Sequence, residues 1–334
     1  MNVRLYYFDN IKYLLIFFVV FGHMLQPFRQ MSYNSEIYSM IYMFHMPLFI
    51  IISGYFSKKS SLNTIKKGCL LLFETFIALH LLSIIVKFIL SGDIAIKDLV
   101  IPGFASWYIL SLILWRFILQ FIPVKWLNHI FLVLSGSVVV SLLAGYIPIG
   151  GAFSVQRTFA MFPFFLMGYI IRQTDSLQKF RMSPIIAGML IVLFVAVVLN
   201  FNYIGDLGGG KNEFHNVMHC TYHYYKGHDF ISHPLLYRLM YIVFSLFLSF
   251  AVMSIVPQTD LGIISREGQY TLFYYFWHSI VSLALRKLMV YMQLPTNTMT
   301  LFVASLLIML ILLCLRKNRT FTLLMNPISS FIKA

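Results

Sequence analysis

The sequence predicts an all-α membrane protein, a polytopic bundle of about ten transmembrane helices with both termini on the cytoplasmic side. Three observations carry that expectation. Of the 334 residues, 60% are hydrophobic and only 11% charged, with a mean hydropathy of +0.82, whereas soluble domains hold about 25% charged residues. Apolar runs near the roughly 20 residues that a helix needs to cross a bilayer recur along the whole chain. Lysines and arginines gather in alternate connections, as they do on the cytoplasmic side of membrane proteins. That placement explains the formal charge of +14 by topology, so the expected partner is the lipid bilayer and no nucleic acid is expected.

The runs lie near 8–27, 36–56, 68–91, 106–123, 127–147, 157–172, 183–201, 235–256, 270–291 and 298–315. The first carries Asp9, Lys12 and His23, and the second carries His45 followed by Met46 and Pro47. Glu74 and Lys87 interrupt the third, and Ser135–Ser137 interrupt the fifth. The fourth opens on Trp107 and Tyr108 and holds Arg116; the sixth opens on Arg157; the ninth holds His278. Pro102-Gly103, Gly150-Gly151 and Gly208–Gly210 punctuate the connections. With a cytoplasmic N-terminus, the inside loops hold Arg4, Lys58, Lys59, Lys66, Lys67, Lys125, Arg172, Lys179, Arg181 and Arg266, and the outside loops only Arg29, Lys97, Lys211 and Lys226. Arg238, Arg286 and Lys287 run against this asymmetry, because they fall toward the outer ends of spans eight and nine.

The chain reads as a single membrane domain over 1–334, with one long external loop at about 202–234 and no internal repeat or cleavable signal peptide. Cys69, Cys220 and Cys314 show no metal or redox spacing. The external loop contains His215, His219, His223, His228 and His233. The set follows no recognised ligand pattern, so no metal is expected and the loop reads as a contact surface for a hydrophilic acceptor.

Ionisable groups within hydrocarbon cost several kcal/mol unless they face partners or a water-filled cavity, and by default they mark a functional site. Lys12 and His23 are 11 residues apart, three helical turns plus about 20°, so they share a face about 16 Å apart along the axis. Asp9 lies three residues before Lys12, on a neighbouring part of that face. Lys12 at one mouth and His23 further in would suit a long ligand with an anionic head and a reactive tail. His45 sits near the middle of span two, where Pro47 leaves a backbone carbonyl without its donor, and Ser53 and Gly54 allow a neighbouring backbone to approach. His278 could line the same cavity. Trp107 and Tyr108 suit an aromatic belt at the interface, and Arg157 suits either an interfacial anchor or a ligand contact.

These stretches together resemble the acyltransferase-3 family of integral-membrane O-acyltransferases, and within it the fucose 4-O-acetylase-like branch. The family pattern is an Asp, a basic residue three on and a His eleven beyond, which Asp9, Lys12 and His23 match. FHMPLFIIISGYF around His45, the Trp107–Leu110 stretch, the segment from Arg157 through FPFFLMGY, and YTLFYYFWH up to His278 also look like family blocks. Lys12 stands where many members have Arg, and Lys66 and Lys67 occupy the region of an Arg-x-x-Arg element seen in some.

The resemblance implies a multi-pass plasma-membrane enzyme that moves an acetyl group from acetyl-CoA to a hydroxyl of a surface-polysaccharide sugar or its lipid-linked precursor. His23 would be the catalytic base or acyl carrier, with Asp9 and His45 supporting it. Lys12, Lys66 and Lys67 would hold the phosphates of acetyl-CoA. Arg157, Trp107, Tyr108 and His278 would meet the acceptor. A transporter or flippase for a lipid-linked sugar would use the same intramembrane polar groups, although no inverted repeat accompanies them.

Overall fold

A stretch of apolar side chains in lipid satisfies its own backbone only as a helix, and each of the ten runs forms one. The computed structural model describes residues 6–31, 33–103, 105–127, 129–148, 151–199, 220, 224–226, 229–230 and 233–325. Its long helices are α1 (Tyr6–Leu25), α2 (Asn34–Tyr55), α3 (Leu62–Ser91), α4 (Ser106–Phe121), α5 (Ile130–Leu143), α6 (Val155–Gln173), α7 (Pro184–Leu199), α8 (Pro234–Ile255), α9 (Thr271–Tyr291) and α10 (Thr298–Arg316). Five are long and apolar enough to cross a membrane, over Tyr6–Phe28, Asn34–Tyr55, Leu62–Leu90, Pro234–Ile255 and Thr298–Arg316, and α4, α5 and α7 are shorter apolar helices. At 19 and 21 residues, α6 and α9 have spanning length, but their polar residues dilute the apolar signal. The external loop is outside the described residues except at Cys220, Tyr224, a two-residue antiparallel ladder (Tyr225–Lys226 with Asp229–Phe230) and His233.

Local chemistry sets the helix ends. Ser61 accepts the Thr64 N–H at the start of α3, and Gly92, with φ of 71°, closes its far end by donating to the Phe88 carbonyl. A β-branched or larger residue would resist that left-handed conformation. Asn297 caps α10 by accepting the Thr300 N–H, and Pro184 and Pro234 open α7 and α8 where a missing N–H costs nothing. Ahead of α6, Phe153 and Ser154 both take positive φ, at 47° and 55°, an arrangement uncommon for residues with a β-carbon.

The chain forms two compact units. One gathers the described residues within Met1–Phe49, Gln178–Ile204 and Phe244–Phe321, and the other those within Ile50–Leu177, Gly205–Val243 and Thr322–Ala334. In the first, α1 packs against α9 and α10, with Phe17 and Phe21 set edge-on to Phe302 at 5.5 Å. Buried polar knots tie it together. Asn10 donates to the carbonyls of Pro257 and Thr259 and accepts from Ser265 Oγ at 2.6 Å. Asn34 donates to the carbonyls of Phe28 and Thr296 and accepts from Thr298 Oγ1. Glu267, fully buried, receives Arg316 in a fork, with Nε and Nη2 at 2.5 and 2.8 Å, and the Tyr274 hydroxyl at 2.9 Å. Beside it, a β-carbon on Gly268 would strike the Asp9 carbonyl, so only glycine lets this turn close on α1.

In the second unit α6 is the centre. Its Thr158 carbonyl accepts from Trp115 Nε1 and its Ala160 carbonyl from Ser141 Oγ. Gly54 and Gly168 make a reciprocal backbone contact: a β-carbon on Gly54 would meet the Phe165 carbonyl, and one on Gly168 the Ile51 carbonyl. The close approach anticipated at Gly54 is thus present.

Two predictions follow from these contacts. Arg316→Gln strands a buried carboxylate and lowers the unfolding free energy in detergent by about 3–5 kcal/mol. Glu267→Gln costs less, because the arginine it strands reaches solvent, and a double-mutant cycle returns the coupling. Gly54→Ala and Gly168→Ala each destabilise by at least about 1–3 kcal/mol, the usual penalty of overpacking, seen as loss of monodisperse protein on size-exclusion chromatography.

Candidate functional site

His23 lies in the last turn of α1, where the final carbonyls of the helix have no intrahelical donor. Arg286 of α9 supplies one: its Nη1 donates to the His23 carbonyl at 2.6 Å. A cation at this end also complements the negative pole of the helix. The same bond fixes a guanidinium beside the imidazole. The His23 ring lies 5.1 Å from the ring of His278, tilted by 51°, and Gln26, three residues on, offers a hydrogen-bonding side chain to it. His45 is within electrostatic reach as well. Thus His23, His278 and His45, three of the ionisable groups singled out from sequence, belong to one cluster in the first unit.

Their states differ. His45 and His278 are buried, and His23 is half-buried. His45 Nδ1 lies 2.7 Å from the Ile41 carbonyl and His278 Nδ1 lies 2.7 Å from the Tyr275 carbonyl. A carbonyl only accepts, so both Nδ1 atoms carry the proton and in the neutral rings Nε2 is left as an acceptor. For His278 that Nε2 has Ser279 Oγ at 3.2 Å. The Tyr42 ring stands edge-on to His45 at 4.7 Å. A β-carbon on Gly22, next to His23, would touch Tyr42 Cε2 at 3.2 Å, so a glycine beside the histidine helps α1 and α2 come this close.

Arg286 is the member of this cluster that the motifs missed. Its signal lay in the topology: it is a cation at the end of a span where the charge asymmetry wants none. His278, Ser282 and Arg286 recur every four residues and so line one face of α9. Ser282 is fully buried and its Oγ has no partner among the described residues. The face thus presents an imidazole, an unmatched hydroxyl and a guanidinium in succession.

The other predicted residues fall elsewhere. Lys12 Nζ pairs with Asp9 Oδ1 at 2.8 Å. Asp9 is 14 residues before His23, about 21 Å along the helix, so it cannot touch the imidazole. Lys66 and Lys67 are exposed in the first turns of α3, in the second unit. There Arg157 stacks its guanidinium over Trp107, 4.9 Å from the ring centroid. The buried Tyr108 hydroxyl meets Ser53 Oγ at 2.5 Å. The cation–π contact gives Trp107 a defined partner beyond an interfacial role. His215, His219, His223 and His228 lie outside the described residues, and among the described residues no group of three or more His, Cys, Asp or Glu could hold a metal.

An imidazole with one accessible edge, flanked by two further imidazoles and a fixed guanidinium, can move a proton while a neighbouring cation stabilises developing negative charge. Those are the needs of acyl transfer. Comparisons with known proteins agree with that chemistry. A stretch of 61 residues is 46% identical to the nodulation protein NolL of Sinorhizobium fredii, and the match covers 17% of this chain and 17% of that protein. No solved structure matches. The profile described as an acyltransferase domain matches residues 5–315, nearly the whole chain and every long helix from α1 through α9, so this membrane protein belongs to the acyltransferase-3 family.

Proposed function

We propose that the protein is an O-acetyltransferase that carries an acetyl group from acetyl-CoA to a hydroxyl of a surface-polysaccharide sugar or its lipid-linked precursor, as the fucose 4-O-acetylase-like branch would. The observation that carries this reading is the half-buried His23, set between His278 and the Arg286 guanidinium, at the histidine position of the family pattern. The protein is read as a multi-pass protein of the plasma membrane, with about ten spans and cytoplasmic termini.

In this mechanism His23 takes the proton from the acceptor hydroxyl as its oxygen attacks the thioester carbonyl. The new C–O bond forms, the C–S bond breaks, and the proton passes to the departing CoA thiolate. Arg286 stands beside the oxyanion that develops in between, a contribution that elsewhere amounts to about 10²–10³ in rate for one donor. His278 and His45, held as Nδ1–H tautomers, keep the polar wall of the site in one arrangement. The Asp9–Lys12 pair lies about 16 Å or more along α1 from His23, a distance that suits the phosphate end of a coenzyme whose thioester reaches the imidazole. Lys66 and Lys67, being exposed, are available to the same phosphates. Arg157 and Trp107 supply a cation and an aromatic face of the kind that sugar acceptors use.

Deleting the protein and restoring wild type or His23→Ala, with glycan O-acetyl signals read by NMR, tests the assignment. Only wild type should restore them, at equal protein levels. Restoration by His23→Ala would remove the residue from the chemistry, and unchanged O-acetyl content with less total glycan would point to transport. Arg286→Gln should lower turnover with purified protein about 10²–10³-fold while changing KM little, and Arg286→Lys should fall between. Equal turnover in Arg286→Gln would confine this residue to capping α1.

A further inference from the structure

A second cation lies in the other unit, and the acyl-transfer site has no use for it. Arg238, in the second turn of α8, is fully buried. Its Nε donates to the Tyr224 hydroxyl at 3.3 Å, and its Nη1 donates to Cys220 Sγ. Its Nη2 has no hydrogen-bond partner. None of the ion pairs among the described residues includes it. A buried guanidinium is tolerated in hydrocarbon when a negative group compensates it, and leaving it uncompensated costs several kcal/mol.

The surroundings do not supply that charge. Tyr224 spends its own hydroxyl proton on the Leu142 carbonyl at 3.2 Å and so meets Arg238 as a neutral acceptor. Burial pushes the Cys220 thiol up, and two nearby arginines, Arg238 and Arg157, do not reverse the shift. Cys220 is therefore a neutral thiol at ordinary pH. The same proximity brings Arg157 close to this point, so two guanidiniums converge on a place without a carboxylate among the described residues. The wall is rigid: Tyr224 N–H donates to the Gly145 carbonyl at 2.9 Å, and a β-carbon on Gly145 would run into the Tyr224 ring.

We propose that Arg238, with Arg157 nearby, forms a binding site for a phosphate group. Two cations match a group that bears more than one negative charge, and the unused Nη2 edge offers the paired N–H donors that phosphate oxygens accept. Arg238 stands about 6 Å from the first residue of α8, near a helix end, where a phosphate could come from a lipid headgroup or from a water-borne phosphate. The proposal does not depend on which acyl group or acceptor the enzyme uses.

Full-length protein in discs of neutral lipid is titrated with inorganic phosphate against chloride at equal ionic strength, with the unfolding midpoint as readout. In parallel, discs containing phosphatidic acid replace neutral ones. Saturable stabilisation by inorganic phosphate identifies a water-borne ligand, and stabilisation by phosphatidic acid alone identifies a lipid headgroup. In either case Arg238→Gln weakens the apparent affinity about tenfold or more, Arg238→Lys weakens it less, and Cys220→Ser leaves it in place. No saturable effect of either probe on wild type overturns the proposal, and this arm needs no variant to fold. An effect undiminished in a folded Arg238→Gln protein shows an adventitious ion only and overturns it equally.

Discussion

A polar group inside hydrocarbon has no water to turn to, and this constraint sorts the polar residues of the protein into two kinds. Asn10, Asn34 and Glu267 are completed by protein partners: both asparagines use acceptor and donor atoms at once, and the carboxylate receives a forked arginine and a tyrosine hydroxyl. They hold the ends of α1, α2, α9 and α10 in register, and the position of His23 depends on that register. Ser282 Oγ and Arg238 Nη2 are of the other kind, buried and unmatched. Structure explains the first kind fully, and ligands are the natural complement of the second.

The helices were legible in the sequence because hydropathy in a membrane is a strong, local signal. Each of the ten apolar runs became a helix, including the third and fifth, where Glu74, Lys87 and Ser135–Ser137 dilute the run. Spacing along a single helix was equally legible: Lys12 and His23 are separated as the helical rise requires, and Gly54 meets a neighbouring backbone. Contacts between helices were not. No periodicity announces that Arg286 caps α1, that Glu267 clamps Arg316, or that Arg157 stacks on Trp107, because each joins residues at least 49 positions apart or lies in a different helix. Exceptions to the charge asymmetry were the useful hint. Arg238 and Arg286 both broke it, and both prove to be cations held in place by specific partners.

The two units divide the family blocks between them. The histidines of α1, α2 and α9 belong with the α1–α9–α10 packing, and Trp107, Tyr108, Arg157 and the exposed Lys66 and Lys67 belong with α6 and its neighbours. Each block is anchored by a different device. Side-chain knots and an ion pair fix the first, and glycine-mediated backbone contact with a strained turn at Phe153–Ser154 fixes the second. A reaction that needs residues from both therefore inherits two independent sources of rigidity, and substitutions that loosen one unit need not disturb the other.

The carbonyl bonds of His45 and His278 reach beyond geometry. With Nδ1–H committed to Ile41 and Tyr275, neither neutral ring can turn over to present a donor to the site without breaking a bond inside its own helix. The cluster is thus a one-way reservoir: it receives a proton through Nε2 and gives the same proton back. Thioester-to-alcohol exchange consumes and releases no net proton, so such a reservoir ends every cycle as it began. Driven by the group-transfer potential of the thioester alone, this chemistry would run at the same pace whether the membrane is energised or not.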